Sequence, residues 1–332
     1  RSVKFNDLEL QRDCMFAIAN ISDSPEYHDD MVKENAVEVI SSVGAKAVDA
    51  RVQRSAARAL ANLSINESLR MLLLDLGVLS TLHSLSRSLD YATQRFAALA
   101  QTNLAVGRRE EKDKMLVQGA VRPLTFLARF PDAQIQCAAA TALAGLALGD
   151  TRGSGKKLQI IKDGAIRPLA DLVQYPDVEV KRCALLGLCS LTLGVHQQCK
   201  HSVANAGVLA SLLLILQDVK DIRCLRTATY CIGALAEAAG VKQNIGMNHD
   251  LFKAMIDQGN QDDVSILRNV AYFLALMSEG GYENHPFIVE EGGLRTLVRL
   301  MSADDVEIQE YSTFAIAHLA SNHEYQVRIV QE

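Results

Sequence analysis

The chain has 332 residues, of which 49% are hydrophobic but only 5% aromatic and none Trp, so an interior of Ala, Leu, Ile and Val is expected. Charged residues at 22% and a formal net charge of −5 exclude a highly charged disordered chain and a generally basic nucleic-acid binder. Seven cysteines without a C-x-x-C pair indicate reduced thiols in a cytoplasmic protein. The longest apolar run, Val208 to Leu216, is too short to span a bilayer.

The first predicted element is a helix over Leu8 to Ile21, and after it a short phrase recurs along the chain. The phrase is a turn of small residues followed by an apolar residue, and its apolar position advances by 41, 43, 45, 42, 43 and 43 residues. A regular period of this size indicates a solenoid built from repeats. The apolar positions are Val37, Val78, Val121, Ile166, Val208, Leu251 and Leu294.

A second, longer phrase follows the first in each unit. It is clearest where Val52-Gln53-Arg54 leads on to Leu60-Ala61-Asn62-Leu63. Because the two phrases stay in step over eight copies, they define a repeat. The second phrase ends at Asn20, Asn62, Asn103, Gly145, Ser190, Ala234, Ala275 and His318.

Both phrases have helical spacing. Val121, Leu124 and Leu127 are three residues apart, which places them on one helical face, and a short helix such as Lys114 to Val117 precedes each small-residue turn. Three helices cannot bury their apolar faces alone, so stacking of neighbouring units must complete the core. We predict one all-α domain over 1–332, with a partial repeat at 1–24, full repeats at about 25–66, 67–107, 108–150, 151–194, 195–239, 240–281 and 282–322, and a partial repeat at 323–332.

These phrases resemble those of the armadillo family over essentially the whole chain, and most closely those of β-catenin/plakoglobin-type proteins and the vacuole-membrane armadillo scaffold. The resemblance implies a right-handed superhelical solenoid whose third helices line a concave groove. In that family an Asn near the end of each third helix hydrogen-bonds the main chain of an extended peptide, which a carboxamide can do as donor and acceptor. The matching residues are Asn20, Asn62 and Asn103, with His318 at the last position. The alternative is that these Asn side chains brace adjacent loops.

Importin-α-type proteins resemble this family too, but they carry Trp four residues before the Asn. This chain has no Trp, and at that position Arg58 would repel a basic peptide. Binding of nuclear localisation signals is therefore not expected.

Arginines recur eight residues before the end of the second phrase. They could border the groove and bind carboxylate or phosphate, so we predict an acidic or phosphorylated extended ligand, with Arg58 as a further contact. The alternative is that each arginine pairs with an acid of the next repeat. Residues 1–166 carry 21 Lys+Arg and 19 Asp+Glu, whereas residues 167–332 carry 13 and 20. The arginines are Arg12, Arg54, Arg95, Arg182 and Arg226.

A second partner is predicted for the C-terminal half. Its groove positions are largely apolar, which favours a helix or another domain over an acidic segment. These positions are Leu267, Ala271, Ala275 and Phe314.

No catalytic, cofactor or metal site is predicted. Gly149 to Lys157 superficially suggests a phosphate loop, but Asp150 stands where its first glycine is required, so a long loop between repeats is expected. His196, Cys199 and His201 lie close together, yet their spacing matches no familiar zinc pattern and a fourth ligand is lacking.

The predicted function is a non-enzymatic scaffold or adaptor that holds an extended, acidic protein segment. Two alternatives are the regulatory or targeting domain of a larger signalling enzyme, such as a ubiquitin ligase, and a chaperone-like module for a motor protein. Because the chain starts at Arg1 within a repeat, we expect it to be part of a longer protein. We expect contact with nucleic acid to be absent, and contact with a membrane to be indirect, through an anchor outside this chain.

Overall fold

The structure is a computed structural model that describes residues 7–148, 155–194, 196–279 and 282–332. Within these ranges the regular structure is helical throughout, with no strand. The chain divides into two compact units: residues 1–150 with 154–172, and residues 151–153 with 173–332.

The first unit contains eleven complete helices and all but the last residue of a twelfth, together with 3-10 turns at Pro25–Tyr27 and Glu67–Leu69. The helices are α1 (Leu8–Ile21), α2 (His28–Lys33), α3 (Ala36–Gly44), α4 (Ala50–Ile65), α5 (Arg70–Asp75), α6 (Val78–Leu85), α7 (Tyr91–Ala105), α8 (Arg109–Val117), α9 (Val121–Leu127), α10 (Ala133–Ala147), α11 (Lys156–Lys162) and α12 (Ile166–Val173).

In its described part the second unit contains eleven complete helices and a 3-10 turn at Tyr282–Asn284. The helices are α13 (Val178–Thr192), α14 (Gln197–Asn205), α15 (Val208–Asp218), α16 (Ile222–Ala236), α17 (Ala239–Gly246), α18 (His249–Gln258), α19 (Val264–Ser278), α20 (His285–Glu290), α21 (Gly293–Leu300), α22 (Val306–Ala320) and α23 (His323–Gln331).

The helices recur in threes: two short helices are followed by a long third helix. The long third helices pack side by side, α1 and α7 against α4 and α10 against α7 in the first unit, and α13, α16, α19 and α22 in series in the second. The all-α fold with three helices per repeat is therefore confirmed.

The small-residue turns separate the first and second helices of the repeats. Most of these turns contain a residue with a left-handed backbone. Gly77, Gly207 and Gly292 have φ of 73°, 81° and 82°, a region that side chains with a Cβ rarely adopt. Asn35 takes the same conformation with φ of 58°, and Asn is among the residues that tolerate it best.

Alanine fills the seams where third helices approach one another. Ala56, Ala59, Ala139 and Ala142 are fully buried, in agreement with the expected aromatic-poor interior. In the described residues no single helix is long and apolar enough to cross a membrane; only two sharply bent helix pairs satisfy length and composition criteria when taken together.

Candidate functional site

Every third helix of the described residues begins at an aspartate whose side chain accepts hydrogen bonds from backbone N–H groups of the first turn. This N-cap satisfies donors that the helix itself leaves unpaired. Eight third helices share the arrangement, so the N-caps mark one edge of the third-helix surface in each unit. The residues are Asp7, Asp49, Asp90, Asp132, Asp177, Asp221, Asp263 and Asp305.

Each predicted groove arginine reaches forward to the capping aspartate of the next repeat. In the first unit Nε of Arg54 donates to Asp90 at 3.0 Å, and in the second Nε of Arg226 donates to Asp263 at 3.0 Å. Six such pairs occur among the described residues: Arg12–Asp49, Arg54–Asp90, Arg95–Asp132, Arg182–Asp221, Arg226–Asp263 and Arg268–Asp305.

The ion pairs also change the pKa values of the capping aspartates. The hydrogen bond from Arg54 lowers the pKa of Asp90 to about 2, and the hydrogen bond from Arg12 does the same for Asp49. These carboxylates therefore stay charged and paired at neutral pH. The pairing agrees with the structural alternative for the arginine row, and a ligand-binding role for these five arginines stays a prediction.

Arg268 was missed by the sequence comparison. Leu267 occupies the aligned position, but the pair to Asp305 is made by the next residue, whose Nη2 lies 2.6 Å from the carboxylate. A search for arginine at a fixed spacing does not detect one that is offset by a single residue along the helix.

The three predicted ladder asparagines contact neighbouring repeats. Nδ2 of Asn62 donates to Ser22 Oγ at 3.0 Å, and Nδ2 of Asn103 donates to Ser64 Oγ at 3.1 Å. Oδ1 of Asn20 accepts a hydrogen bond from Arg58. These contacts with neighbouring repeats use either the amide nitrogen or the oxygen of each carboxamide, but not both. Within the described residues it leaves the oxygens of Asn62 and Asn103, and the amide of Asn20, without a hydrogen bond of their own.

Arg58 lies over an aromatic ring on the preceding third helix. Its guanidinium carbon is 5.7 Å from the centre of Phe16, and its Nη2 is 3.9 Å from Asp23. The Nε of Arg58 is buried and makes no hydrogen bond with the described residues.

A cleft of about 500 Å³ opens between α1, α4 and α7, and its lining contains four arginines and one acid. Phe16 and Phe96 provide apolar walls. Arg51 is exposed and makes no ion pair with a described residue, so together with Arg58 it supplies charge that the capping aspartates do not neutralise. We call this site the N-terminal cleft: Arg12, Asp13, Phe16, Arg51, Arg54, Ser55, Arg58 and Phe96.

The C-terminal groove positions differ from the expectation of an apolar surface. Ala271 and Ala275 are buried, and Ala271 packs with Leu300 and Ile308 in a core cluster that Leu267 joins. Of the four residues predicted to receive a second partner, Phe314 is the one with a large exposed side chain, at 44%. The expectation of a broad apolar surface there was wrong, because alanine at a third-helix seam serves the contact between repeats.

Aromatic and acidic side chains take the place of that surface in the second unit. The hydroxyl of Tyr272 donates to Glu237 at 2.9 Å, and its ring lies 5.0 Å from that of Tyr311. His318 packs its ring against Phe314 at 4.4 Å. Burial and the contact with Glu237 raise the pKa of Tyr272 well above its usual value.

The sequence contains two other features that could suggest a site, a glycine-rich segment and a group of His and Cys residues. Most of the glycine-rich segment, residues 149–154, lies outside the described residues, and α11 begins directly after it. His196, Cys199 and His201 all lie at or in α14, but the described part of the chain contains no group of three His, Cys, Asp or Glu side chains arranged to hold a metal ion.

Comparison with known proteins finds a match to one repeat family and to several solved structures. The profile of the armadillo/β-catenin-like repeat matches residues 283–321. No curated protein matches the chain in sequence.

Solved structures extend the likeness to almost the whole chain. An engineered protein is 26% identical over 96% of this chain and 76% of its own, with a TM-score of 0.81. A designed armadillo repeat protein in complex with the peptide (KR)4 is 20% identical over 72% of this chain and 98% of its own, with a TM-score of 0.65. A structure of computationally designed armadillo repeat proteins for modular peptide recognition is 21% identical over 71% and 98%, with a TM-score of 0.66. The chain therefore has the armadillo-repeat fold, and residues 283–321 also match that repeat in sequence.

Proposed function

We propose that the protein is a non-enzymatic scaffold or adaptor, located in the cytoplasm, that binds an extended acidic segment of a partner protein in the N-terminal cleft. The observation that carries the proposal is that Arg51, beside the two Phe rings and Arg58, has no acidic partner among the described residues. Two designed relatives by fold are described as a complex with a peptide and as proteins for peptide recognition, which supports a peptide as the class of ligand.

The balance of charge in the cleft decides the sign of the ligand. Arg12 and Arg54 are paired with Asp49 and Asp90, so their guanidinium groups are largely neutralised. Arg51 has no acidic partner among the described residues, and the guanidinium of Arg58 is held between Asn20 and Asp23. Guanidinium binds carboxylate in a bidentate manner, which favours Asp, Glu or a phosphorylated residue in the partner.

The asparagine row can hold the main chain of the same segment. The oxygens of Asn62 and Asn103 can accept N–H groups, and the amide of Asn20 can donate to a carbonyl. An extended peptide presents both groups at alternating positions, so one strand could meet all three side chains.

Fluorescence anisotropy with two labelled octapeptides, (Asp-Glu)4 and (KR)4, tests the proposal. We expect (Asp-Glu)4 to bind more tightly, and the double variant Arg51→Ala/Arg58→Ala to weaken it about ten-fold or more, because hydrogen bonds to charged groups contribute about 1.5–3 kcal/mol each. Circular dichroism verifies that the variant keeps its helices.

The matched control is Lys220→Ala/Arg223→Ala, which removes the same two charges from exposed positions of the second unit. Equal affinity of the two double variants for (Asp-Glu)4, or tighter binding of (KR)4 by the wild-type protein, would contradict the proposal.

A further inference from the structure

The turns between second and third helices follow a pattern that the N-terminal cleft does not use. In the first unit a basic residue stands three positions before Asp49, Asp90 and Asp132, and an apolar residue stands one position before each of them. The basic residues are Lys46, Arg87 and Arg129, and the apolar residues are Val48, Leu89 and Pro131.

These turns lie side by side in the structure. The hydroxyl of Ser84, at the end of α6, donates to the carbonyl of Ala45 in the preceding turn at 3.2 Å. The ring of Tyr91 packs edge-on against Phe130 of the following turn, with centres 5.3 Å apart. The basic and apolar positions of three repeats therefore form one continuous edge.

The apolar side chains of this edge are strongly exposed. Leu89 is 100% exposed, Tyr91 55% and Phe126 48%, and Phe126 continues the ring contacts through Phe130 at 6.4 Å. Single exposed apolar side chains are ordinary, but a contiguous group marks an interaction surface.

The edge also carries net positive charge. Lys46, Arg87 and Arg129 are exposed, and none of them forms an ion pair with a described residue. The nearest acids, Asp90 and Asp132, are already paired with arginines of the preceding repeats.

The second unit has no such edge at the aligned positions. Its turns carry polar or acidic residues in place of the basic ones. In place of the apolar residues they carry two acids, one lysine and one proline. The residues at the basic positions are Gln174, Asp218, Asn260 and Ser302, and those at the apolar positions are Pro176, Lys220, Asp262 and Asp304. The pattern is therefore specific to the first unit rather than a requirement of the repeat.

We propose that this basic edge, comprising Lys46, Arg87, Leu89, Tyr91, Phe126 and Arg129, docks on the surface of an anionic phospholipid bilayer. Leu89 protrudes from the turn before α7 and Tyr91 from the first residue of that helix, and neither lines a groove. They therefore suit a deformable interface better than a helix, which needs a complementary groove. Aromatic and aliphatic side chains enter the headgroup region while Lys and Arg attract anionic lipid. The bilayer contact shares no residue with the N-terminal cleft.

Co-sedimentation with vesicles tests the proposal, using phosphatidylcholine alone and a 70:30 mixture of phosphatidylcholine and phosphatidylserine. We expect binding to the mixed vesicles only. Since each basic residue near an anionic surface changes partitioning by roughly five-fold, Arg87→Gln/Arg129→Gln should weaken binding by roughly 25-fold. Leu89→Ser should also weaken it, and because this side chain is fully exposed the fold should not change.

The control is Lys220→Gln/Arg223→Gln, which loses the same charge from the second unit and should bind like the wild type. Three results would overturn the proposal: equal binding by both double variants, loss of binding in Arg51→Ala/Arg58→Ala instead, or sedimentation without vesicles that Arg87→Gln/Arg129→Gln abolishes. The second result would place the lipid in the cleft, and the third would make the edge a contact between copies of this chain. Failure of (Asp-Glu)4 to bind would leave this outcome unaffected, so the two proposals fail separately.

Discussion

Asp263 shows how one carboxylate can stabilise two repeats. It caps α19 by accepting from the N–H of Ile266 at 3.1 Å, and it receives Arg226 from the preceding third helix. Its chain neighbour Asp262 is exposed and makes neither contact with the described residues. A comparison of substitutions at Asp262 and Asp263 therefore distinguishes the structural role of the carboxylate from the effect of its negative charge alone.

Asp263→Ala should lower the free energy of unfolding by about 1–2 kcal/mol, because it removes an N-cap. Asp262→Ala should change it by less than about 0.5 kcal/mol, as is usual for a surface substitution. Urea denaturation of both variants measures the difference. Equal losses would show that the cap and the ion pair contribute nothing beyond charge.

The Arg54–Asp90 pair should make stability depend on pH. The pKa of Asp90 in the folded protein is about 2, below its ordinary value of 3.8, so the folded state binds this proton less readily than the unfolded state. The contribution is then complete above about pH 4 and is lost as the pH falls toward 2.

Asp90→Asn keeps a capping acceptor but cannot ionise. We therefore expect the wild type to exceed Asp90→Asn in unfolding free energy near neutral pH, and the gap to narrow below about pH 4. Urea midpoints at about pH 6, 4 and 3 measure the gap. A gap that stays constant over this range would contradict the ion-pair contribution.

At the scale of the helix, Gly145 explains why the asparagine row does not continue into α10. A Cβ at this position would lie 2.7 Å from the carbonyl oxygen of Ala105 at the end of α7, closer than a carbon atom can approach. Helix α10 therefore needs glycine where α1, α4 and α7 carry asparagine, and a carboxamide does not fit there. Gly233 in α16 is different, because its Cβ would meet only the ring of Tyr272 at 3.4 Å.

Gly145→Ala should destabilise the protein by about 1–3 kcal/mol through overpacking against backbone. Gly233→Ala is the matched substitution in another third helix, and it should be neutral or stabilising by up to about 1 kcal/mol, since Ala favours the helix. Thermal unfolding of both variants tests the contrast. A similar loss in both would mean that a general effect of replacing helical glycine outweighs the contact with Ala105.

At the scale of the whole molecule, the repeats contact chiefly their sequence neighbours. In each unit a third helix packs against the one before and the one after it, as in other solenoids, where stability is a sum of local terms. A substitution in one repeat should therefore be felt nearby and fade along the chain.

Amide hydrogen exchange of Asp263→Ala measures this locality. Protection should fall in α16 and α19, which the substitution touches, while α4 and α7 in the other unit keep wild-type protection. A uniform loss along the chain would instead indicate that the whole protein opens as one cooperative structure.

The sequence alone determined the repeat, the helix order and the all-α fold. These follow from local properties: apolar spacing near 3.6 residues and turns of small residues that tolerate a left-handed backbone. Val37 and Leu294 could be aligned across the chain because each repeat places an apolar residue at the start of a helix, directly after a turn of small residues.

Only the tertiary structure decided what the polar side chains touch. Arg54 and Asp90 are 36 residues apart, and they meet because stacked repeats bring the start of one third helix beside the next. The same stacking buried Ala271, turned Asn62 toward Ser22 and left Arg51 without a described acidic partner. A side chain's neighbours across a solenoid depend on offsets of a single residue, which a repeat pattern does not specify.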